Sequence, residues 1–549
     1  MSVDKDVLER AKEWSELDPN ETTSAYVKDL LKRVSSENGV GSKAVEELNA
    51  LFPKKRIEFG TAGLRSTMKP GPVGMNDLVV VQAAQGIATY VLQENSMENG
   101  QKICAVIGFD HRRNSSLDLS SLSFALLSAL VFKEAGMEVI LLDYPENEGF
   151  VGTPMVPFTL SRTENAKLGI MITASHNPKQ DAGYKVYWRN GCQIRPPVDK
   201  GMADSILQNL KPWVDYGALL KTRKEKYSDP CLGLSNAILT KKMVDKYFEA
   251  IKSSLVTGQA ELLKEEGWEQ PKMAYTAMHG IGHTFAVKSY ETFGFTPFRA
   301  VPSQMKIDPD FPTVPFPNPE EKGALDDAKK FCEDNGLDVI LANDPDADRL
   351  AVAEKDRQTG AWTVFTGDQI GTMLGCWLYE KVGKPSGKVS RRIGKQQYSS
   401  PGILFCPHSI VSLVTTYHFK PVSMCASTVS SKMLAEVAKV EGFHFEDTLT
   451  GFKWIGSRAE ELSREGKLAL FGYEEAIGFC CGDVVFDKDG ISKYKYWQPF
   501  NGRGDKCFGL TLHYLPTTTT TRCPGRLYRV DILCIFQRHG SQPTFTKLV

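Results

Sequence analysis

Short apolar runs alternate with longer helix-like stretches over most of the chain. Ile103 to Gly108 reads as a strand, Leu119 to Lys133 as a helix with many apolar positions, and Met137 to Leu142 as the next strand. The rhythm returns at Gly169–Ile172, Met273–Thr276 and Val339–Ala342. Strands alternating with helices at this spacing predict α/β units. Loops rich in Gly, Pro, Asp and Asn follow several of these strands, and in such folds ligands gather at the strand C-termini. The longest apolar region, Leu117 to Leu142, is broken by serines and by Lys133, Glu134 and Glu138, so it reads as a buried helix plus strand rather than a membrane span.

Two segments break the rhythm. Residues 382–421 hold six basic and no acidic residues, and 493–549 hold nine basic and two acidic ones. The whole chain, with 66 basic and 66 acidic residues, is formally neutral, so its net charge gives no hint of a charged partner. Without these two segments the remaining 452 residues carry about −13. An acidic body that binds anions must concentrate its positive charge locally. Neither basic segment holds a nucleic-acid-binding motif or a sustained amphipathic helix, so no nucleic acid and no membrane is expected as a partner. A length of 549 residues gives about three or four domains. The 42% hydrophobic and 24% charged content excludes a disordered, collagenous or coiled-coil chain. The twelve cysteines include no C-x-x-C pair, which argues against a zinc ribbon or a thioredoxin-type centre. The N-terminus lacks an apolar signal core, so a cytoplasmic location with reduced cysteines is expected.

The chemistry lies in the loops. Thr173-Ala174-Ser175-His176-Asn177-Pro178 follows a strand and exposes a hydroxyl on a tight turn. It reads as a nucleophile or phosphate carrier with His176 beside it, or as an ordinary polar turn. Asp344-Pro345-Asp346-Ala347-Asp348-Arg349 follows another strand, and its three carboxylates at alternate positions can converge on one hard cation. An EF-hand fails on spacing, because Arg349 and Lys355 stand where Gly and Glu are needed. Mg²⁺ at a phosphate-handling site fits better, with a solvated acidic turn as the rival. His279-Gly280-Ile281-Gly282-His283 reads as a phosphate or sugar contact more than a metal site. Glu474 and Glu475, before the flexible Gly478, can accept hydrogen bonds from sugar hydroxyls or form a solvated pair. Asp487-Lys488-Asp489-Gly490 is a turn by composition.

Together and in this order, the phrases FGTAGLR, TASHNP with DAGYKVYW, YTAMHGIG, DPDFPTVPFPNPEEKGALD, NDPDADRLAVAE, TLTGFKWIG, YEEAIGF and DKDGIS resemble the α-D-phosphohexomutase superfamily. The resemblance is to its eukaryotic phosphoglucomutase-2 type, which includes phosphopentomutases and the related glucose-1,6-bisphosphate synthases. It covers roughly residues 1–381 and 422–492. It implies an α/β protein of three related domains around a cleft, with a smaller α+β fourth domain absent or replaced. The implied divisions are 1–225 with the phosphoserine loop, 226–358 with the metal loop, 359–492 with the sugar loop and interrupted by 382–421, and 493–549 as a tail in place of the fourth domain.

The resemblance makes Ser175 the phosphorylated serine. Asp344, Asp346 and Asp348 would hold Mg²⁺ together with a phosphate oxygen on Ser175. Lys185 and Lys488, with His176 adjacent, match positions implicated in proton transfer, and a lysine of lowered pKa would act as base. Arg65, Arg112 and Arg349 would line the cleft, Lys453 would lie near it, and Glu474 and Glu475 would bind sugar hydroxyls. Ala476 stands where the family often has Ser. The implied reaction interconverts a sugar 1-phosphate with glucose 6-phosphate or a pentose 5-phosphate, with glucose 1,6-bisphosphate as activator and a monomer as the working form. The family's last phosphate loop, approximately R-x-S-G-T-E-P, has no counterpart in the sequence. One expectation covers both breaks, namely intron-derived or frame-shifted sequence. The alternatives to a mutase are a glucose-1,6-bisphosphate synthase, an inactive sugar-phosphate binder and a metal-dependent phosphatase.

Overall fold

The strands foreseen from apolar runs all form, with small shifts at their ends. The computed structural model describes residues 4–36, 43–60, 63–95, 100–225, 236–254, 272–356, 358–379 and 420–492. Its first sheet contains β1 (Gly63–Thr67), β2 (Cys104–Phe109), β5 (Glu138–Leu141), β6 (Ala166–Ile172) and β7 (Asp181–Trp188) in the order β1-β7-β6-β2-β5. The two-residue strands β3 (Arg113–Asn114) and β4 (Leu119–Ser120) form a separate ribbon. The second sheet holds β8 (Met273–Thr276), β9 (Arg299–Ala300), β10 (Val339–Ala342), β11 (Ala351–Lys355) and β12 (Trp362–Val364), ordered β12-β11-β10-β8-β9. The third holds β13 (Val422–Ser427), β14 (His444–Thr448), β15 (Leu468–Glu474) and β16 (Gly478–Cys481), ordered β14-β13-β15-β16.

One plan recurs in all three sheets. A strand paired parallel to an inner neighbour ends in a loop and returns as an antiparallel partner: β6 to β7, β10 to β11, β15 to β16. The three loops between them are the serine, aspartate and glutamate loops. Each carries a non-glycine residue in the left-handed region: Ser175 at φ +52°, Ala347 at +58° and Ile477 at +51°. Such residues each cost about 1–3 kcal/mol and persist only where their surroundings enforce them. The loops also touch across domains. The Leu350 N–H donates to the Ile477 carbonyl at 3.3 Å, and the Thr153 N–H donates to the Asp346 carbonyl at 3.0 Å. One apolar core runs through all three sheets, from Val106 and Phe158 through Tyr247 and Leu341 to Leu374 and Leu470.

The helix foreseen from Leu119 starts at Ser121, because the Ser120 hydroxyl accepts the Ser123 N–H at 3.1 Å and caps it. It ends at Glu134, shortly before Gly136 at φ +84°. With the strand Glu138–Leu141 it accounts for the long apolar region, and no helix among the described residues is long and apolar enough to cross a membrane. The boundary expected at residue 358 is corrected: β12 pairs with β11, so the second sheet runs on to Val364. The helices Lys5–Leu17, Glu21–Ser36 and Lys43–Leu51 add a unit the pattern did not foresee, packed around Trp14, Leu48 and Phe52. The basic tail 493–549, and the stretch 382–421 as far as 419, lie outside the described residues.

Gly86 marks a close helix crossing in the first domain. A Cβ there would lie 2.3 Å from the Ile206 Cα, while the Ser205 hydroxyl donates to the Gly86 carbonyl at 2.7 Å. Alanine gains about 1 kcal/mol of helix propensity, but overpacking against backbone costs about 1–3 kcal/mol. Gly86→Ala is expected to lower stability by about 1–2 kcal/mol in urea unfolding, although the substitution favours an isolated helix.

Candidate active site

The serine loop begins where β6 ends. The Thr173 hydroxyl accepts the Ser175 N–H at 2.9 Å and fixes the turn. Ser175 is buried, its Oγ donating to Asp344 Oδ2 at 2.8 Å and lying 3.4 Å from His176 Nδ1. Arg112 holds this loop from behind. Its Nη1 donates to the Pro178 and Asp181 carbonyls at 2.8 and 3.1 Å, and its Nη2 to those of Ser175 and Asn177 at 2.5 and 2.8 Å. Its Nε lies 3.2 Å from Asp110. The expectation that Arg112 lines the cleft as a substrate ligand is therefore corrected. It is fully buried, and four main-chain carbonyls take up its donors, so it positions the loop.

The three aspartates are fully buried, and one oxygen from each lies within 4.8 Å of the others. Asp344 Oδ1 accepts the Arg349 N–H at 2.9 Å. Asp346 Oδ2 accepts from the Thr153 hydroxyl at 2.6 Å and from Lys185 Nζ at 2.7 Å. Asp348 Oδ2 accepts from Lys185 Nζ at 2.7 Å. Asp346 Oδ1 and Asp348 Oδ1 have no hydrogen-bond partner among the described residues. Two orphaned buried carboxylate oxygens beside Asp344 and a serine hydroxyl form a hard oxygen donor set, which fits a divalent cation such as Mg²⁺. Without one, burial and repulsion from Asp346 and Asp348 push the Asp344 pKa well up. Burial also acts on Asp346, but Lys185 outweighs it and holds that carboxyl below its usual range.

The lysines come from two domains. Lys185 is on β7, and Lys488 follows the third sheet with Nζ 3.6 Å from Asp348 and 3.9 Å from Asp487. Burial lowers both pKa values, but the surrounding carboxylates win and both lie above the ordinary lysine value. These directions hold without a cation on the aspartates; one bound there would act the other way on both lysines. The DKDG turn packs directly on the metal loop: the Gly490 N–H donates to the Ala347 carbonyl at 3.1 Å, and a Cβ on Gly490 would sit 2.3 Å from the Arg349 carbonyl.

Glu474 and Arg349 complete the convergence. Burial raises the Glu474 pKa, against the pull of Lys488 and Arg349. Glu475 Oε2 accepts from the Ser427 and Ser430 hydroxyls at 2.8 and 3.2 Å. Arg349 Nε lies 3.9 Å from Asp348 and 4.0 Å from Asp344, too far to hydrogen-bond either. Arg65 is exposed, donating to Asn177 Oδ1 at 3.1 Å. His176 has its pKa pushed down to about 3 by burial and by Arg349 and Arg65, so it is neutral at pH 7. Lys453 stands apart. It is buried at the start of helix 452–464 with its ammonium over the Trp454 ring at 5.2 Å, and none of its described contacts reaches the aspartates. His279 and His283 do not form a metal pair: His279 Nε2 meets Thr313 at 2.9 Å, while His283 packs on Tyr275 and Phe298.

Sequence reasoning missed Thr153, and it gave no role to Asp110, at the head of the polar loop after β2, or to Asp487. Asp487 looks like a turn residue, yet it is buried and accepts from the Tyr187 hydroxyl at 2.7 Å and Gln193 Nε2 at 2.9 Å. The only sequence signal was its place beside Lys488. Arg112→Met would leave Asp110 buried without its counter-charge and strip four carbonyls of a donor. It is expected to cost about 3–5 kcal/mol in chemical unfolding.

Comparison with known proteins matches this geometry. Models described as phosphoglucomutase/phosphomannomutase, alpha/beta/alpha domains I, II and III, match residues 56–212, 245–360 and 407–497. The third match takes in 407–421, which narrows the interruption expected at 382–421. The chain is 42% identical to the phosphoribomutase of Saccharomyces cerevisiae, over 82% of this chain and 67% of that protein. It is 41% identical to the Homo sapiens phosphopentomutase, over 87% and 69%. To the Homo sapiens glucose 1,6-bisphosphate synthase it is 36% identical, over 87% and 68%. A phosphoglucomutase/phosphomannomutase family protein of Burkholderia thailandensis shares the fold, with TM-score 0.53, 17% identity, and coverage of 80% of this chain and 75% of that one. The fold, the three loops and these matches agree: the chain belongs to the phosphoglucomutase/phosphomannomutase family.

Proposed function

We propose that this chain is a phosphosugar mutase that interconverts pentose 1- and 5-phosphates, and glucose 1- and 6-phosphates, through a phosphorylated Ser175. The observation that carries the reading is the Ser175 hydroxyl, held in a strained turn against Asp344 beside two orphaned carboxylate oxygens. The relatives named for pentose phosphates, at 41–42% identity, favour pentose over the bisphosphate synthase activity named at 36%.

In the first half-reaction the bond between Ser175 Oγ and phosphorus breaks as a sugar hydroxyl oxygen bonds to that phosphorus. The sugar bisphosphate then turns round; in the second half-reaction the other sugar O–P bond breaks and the bond to Ser175 Oγ re-forms. Such transfer needs positioning and charge neutralisation more than covalent help. Asp344, Asp346, Asp348 and a phosphate oxygen on Ser175 would hold Mg²⁺, which when bound supplies positive charge to the phosphoryl oxygens. Arg349 and Arg65 bind phosphate through their planar donors. Lys488, between Asp348, Asp487 and Glu474, is the group placed to take the sugar hydroxyl proton, and a cation held by the aspartates would oppose its positive charge and lower its pKa toward that of a base. Glu474 and Glu475 accept hydrogen bonds from the sugar. Glucose 1,6-bisphosphate loads Ser175, and the cytoplasm, where the seven free cysteines of the described residues stay reduced, is the compartment we assign.

A coupled assay with ribose 1-phosphate or glucose 1-phosphate, Mg²⁺ and catalytic glucose 1,6-bisphosphate tests the reading. Turnover is expected to fall at least ~10³-fold in Ser175→Ala. Equal rates for the two proteins would remove Ser175 from the chemistry. Net accumulation of bisphosphate from an added acyl-phosphate donor, without mutase turnover, would favour the synthase instead. Mg²⁺ is expected to raise the melting temperature by about 2–4 °C and EDTA to reverse it. Asp348→Asn is expected to abolish that shift.

A further inference from the structure

The segment Asp308 to Glu320 belongs to none of the three loops. It carries five prolines, at 309, 312, 315, 317 and 319, which fix φ and leave little freedom to lose. The histidine loop anchors it. The Asp308 N–H donates to the His279 carbonyl at 3.0 Å, and Thr313 meets His279 Nε2 at 2.9 Å and Gln304 Nε2 at 3.0 Å. The Phe311 ring packs under the Arg112 guanidinium at 5.4 Å. So the strap is tied to the same group that positions the serine loop.

Its other face points at the catalytic loops. Asp310 pairs with Lys179 at 3.4 Å. The Phe316 ring stacks on His176 at 6.4 Å and 24°, yet stays 38% exposed. Glu320 Oε2 faces Arg349 Nη1 at 3.9 Å, too far to hydrogen-bond it. Burial and the neighbouring Glu475 and Glu474 make an ionised Glu320 unfavourable, and Arg349 only partly offsets this. A carboxylate and a guanidinium that oppose each other without bonding, beside an exposed aromatic face, suit a ligand with hydroxyl donors, an anionic group and a C–H face.

We propose that this strap is the second-domain wall of the sugar site. Glu320 accepts hydrogen bonds from sugar hydroxyls, and Phe316 packs against the sugar's C–H face while backing His176. The assignment rests on the sugar-phosphate reading above, and it makes Glu320 a substrate-binding residue.

Isothermal titration calorimetry with ribose 5-phosphate, and with inorganic phosphate as the anion control, tests it on the full chain. Glu320→Gln keeps the side-chain shape. It is expected to weaken ribose 5-phosphate about tenfold and to leave phosphate within about threefold. Phe316→Ala is expected to weaken ribose 5-phosphate while leaving phosphate likewise unchanged. Unchanged ribose 5-phosphate affinity in both variants overturns the proposal. So does an equal change for both ligands in Glu320→Gln, which would mean that Glu320 only tethers Arg349. If wild-type protein binds ribose 5-phosphate no better than phosphate, the sugar-phosphate reading falls and the strap assignment with it. Wild-type binding with unaffected variants removes the strap assignment alone.

Discussion

Asp344, Asp346 and Asp348 lie fully buried within a few ångströms of one another, at the end of β10. Two like charges about 4 Å apart repel by ~4 kcal/mol at an effective dielectric of ~20. Three cannot stay ionised there without compensation. Lys185 reaches them from the first domain and Lys488 from the third, while Arg349 belongs to the same loop. The charge balance of one loop therefore draws three domains together, and a bound divalent cation would complete it.

The repeated tip geometry explains why the chemistry gathers there. Each sheet ends a parallel strand in a strained turn and returns antiparallel, so each exposes side chains at the same edge. Strand C-termini are where α/β sheets offer ligands free backbone and room. The left-handed residues in all three turns are tolerated because neighbours over-determine them: Arg112 grips the serine loop, the DKDG turn seals the aspartate loop, and the Leu350 N–H holds the Ile477 carbonyl of the glutamate loop.

The residues around the reacting groups divide their labour by burial. Arg112 and Asp487 are shut away and act through the loops they hold. Arg349, Glu320 and Phe316 keep part of their surface open toward the cleft. Positive charge on an acidic body is thus placed rather than spread.

The sequence by itself determined what depends on near neighbours along the chain. Apolar runs marked the strands at Met273–Thr276 and Val339–Ala342 to the residue, and turn composition marked the loops that carry Ser175 and the aspartates. What only the tertiary structure decided depends on burial and on distant partners. Arg112 and Arg349 are both arginines in polar loops, yet one is swallowed by four carbonyls and the other faces carboxylates it cannot quite reach. Burial alone would lower the Lys185 pKa, but Asp346 and Asp348, more than a hundred residues away, outweigh it in the absence of a cation. Asp487 passed for a surface turn, and the three N-terminal helices, though amphipathic, gain a core only where their apolar faces meet around Trp14, Leu48 and Phe52. Local pattern fixes conformation through short-range sterics and periodicity. The electrostatic role of a side chain is set by the dielectric and the charges around it, and those come from parts of the chain that meet only on folding.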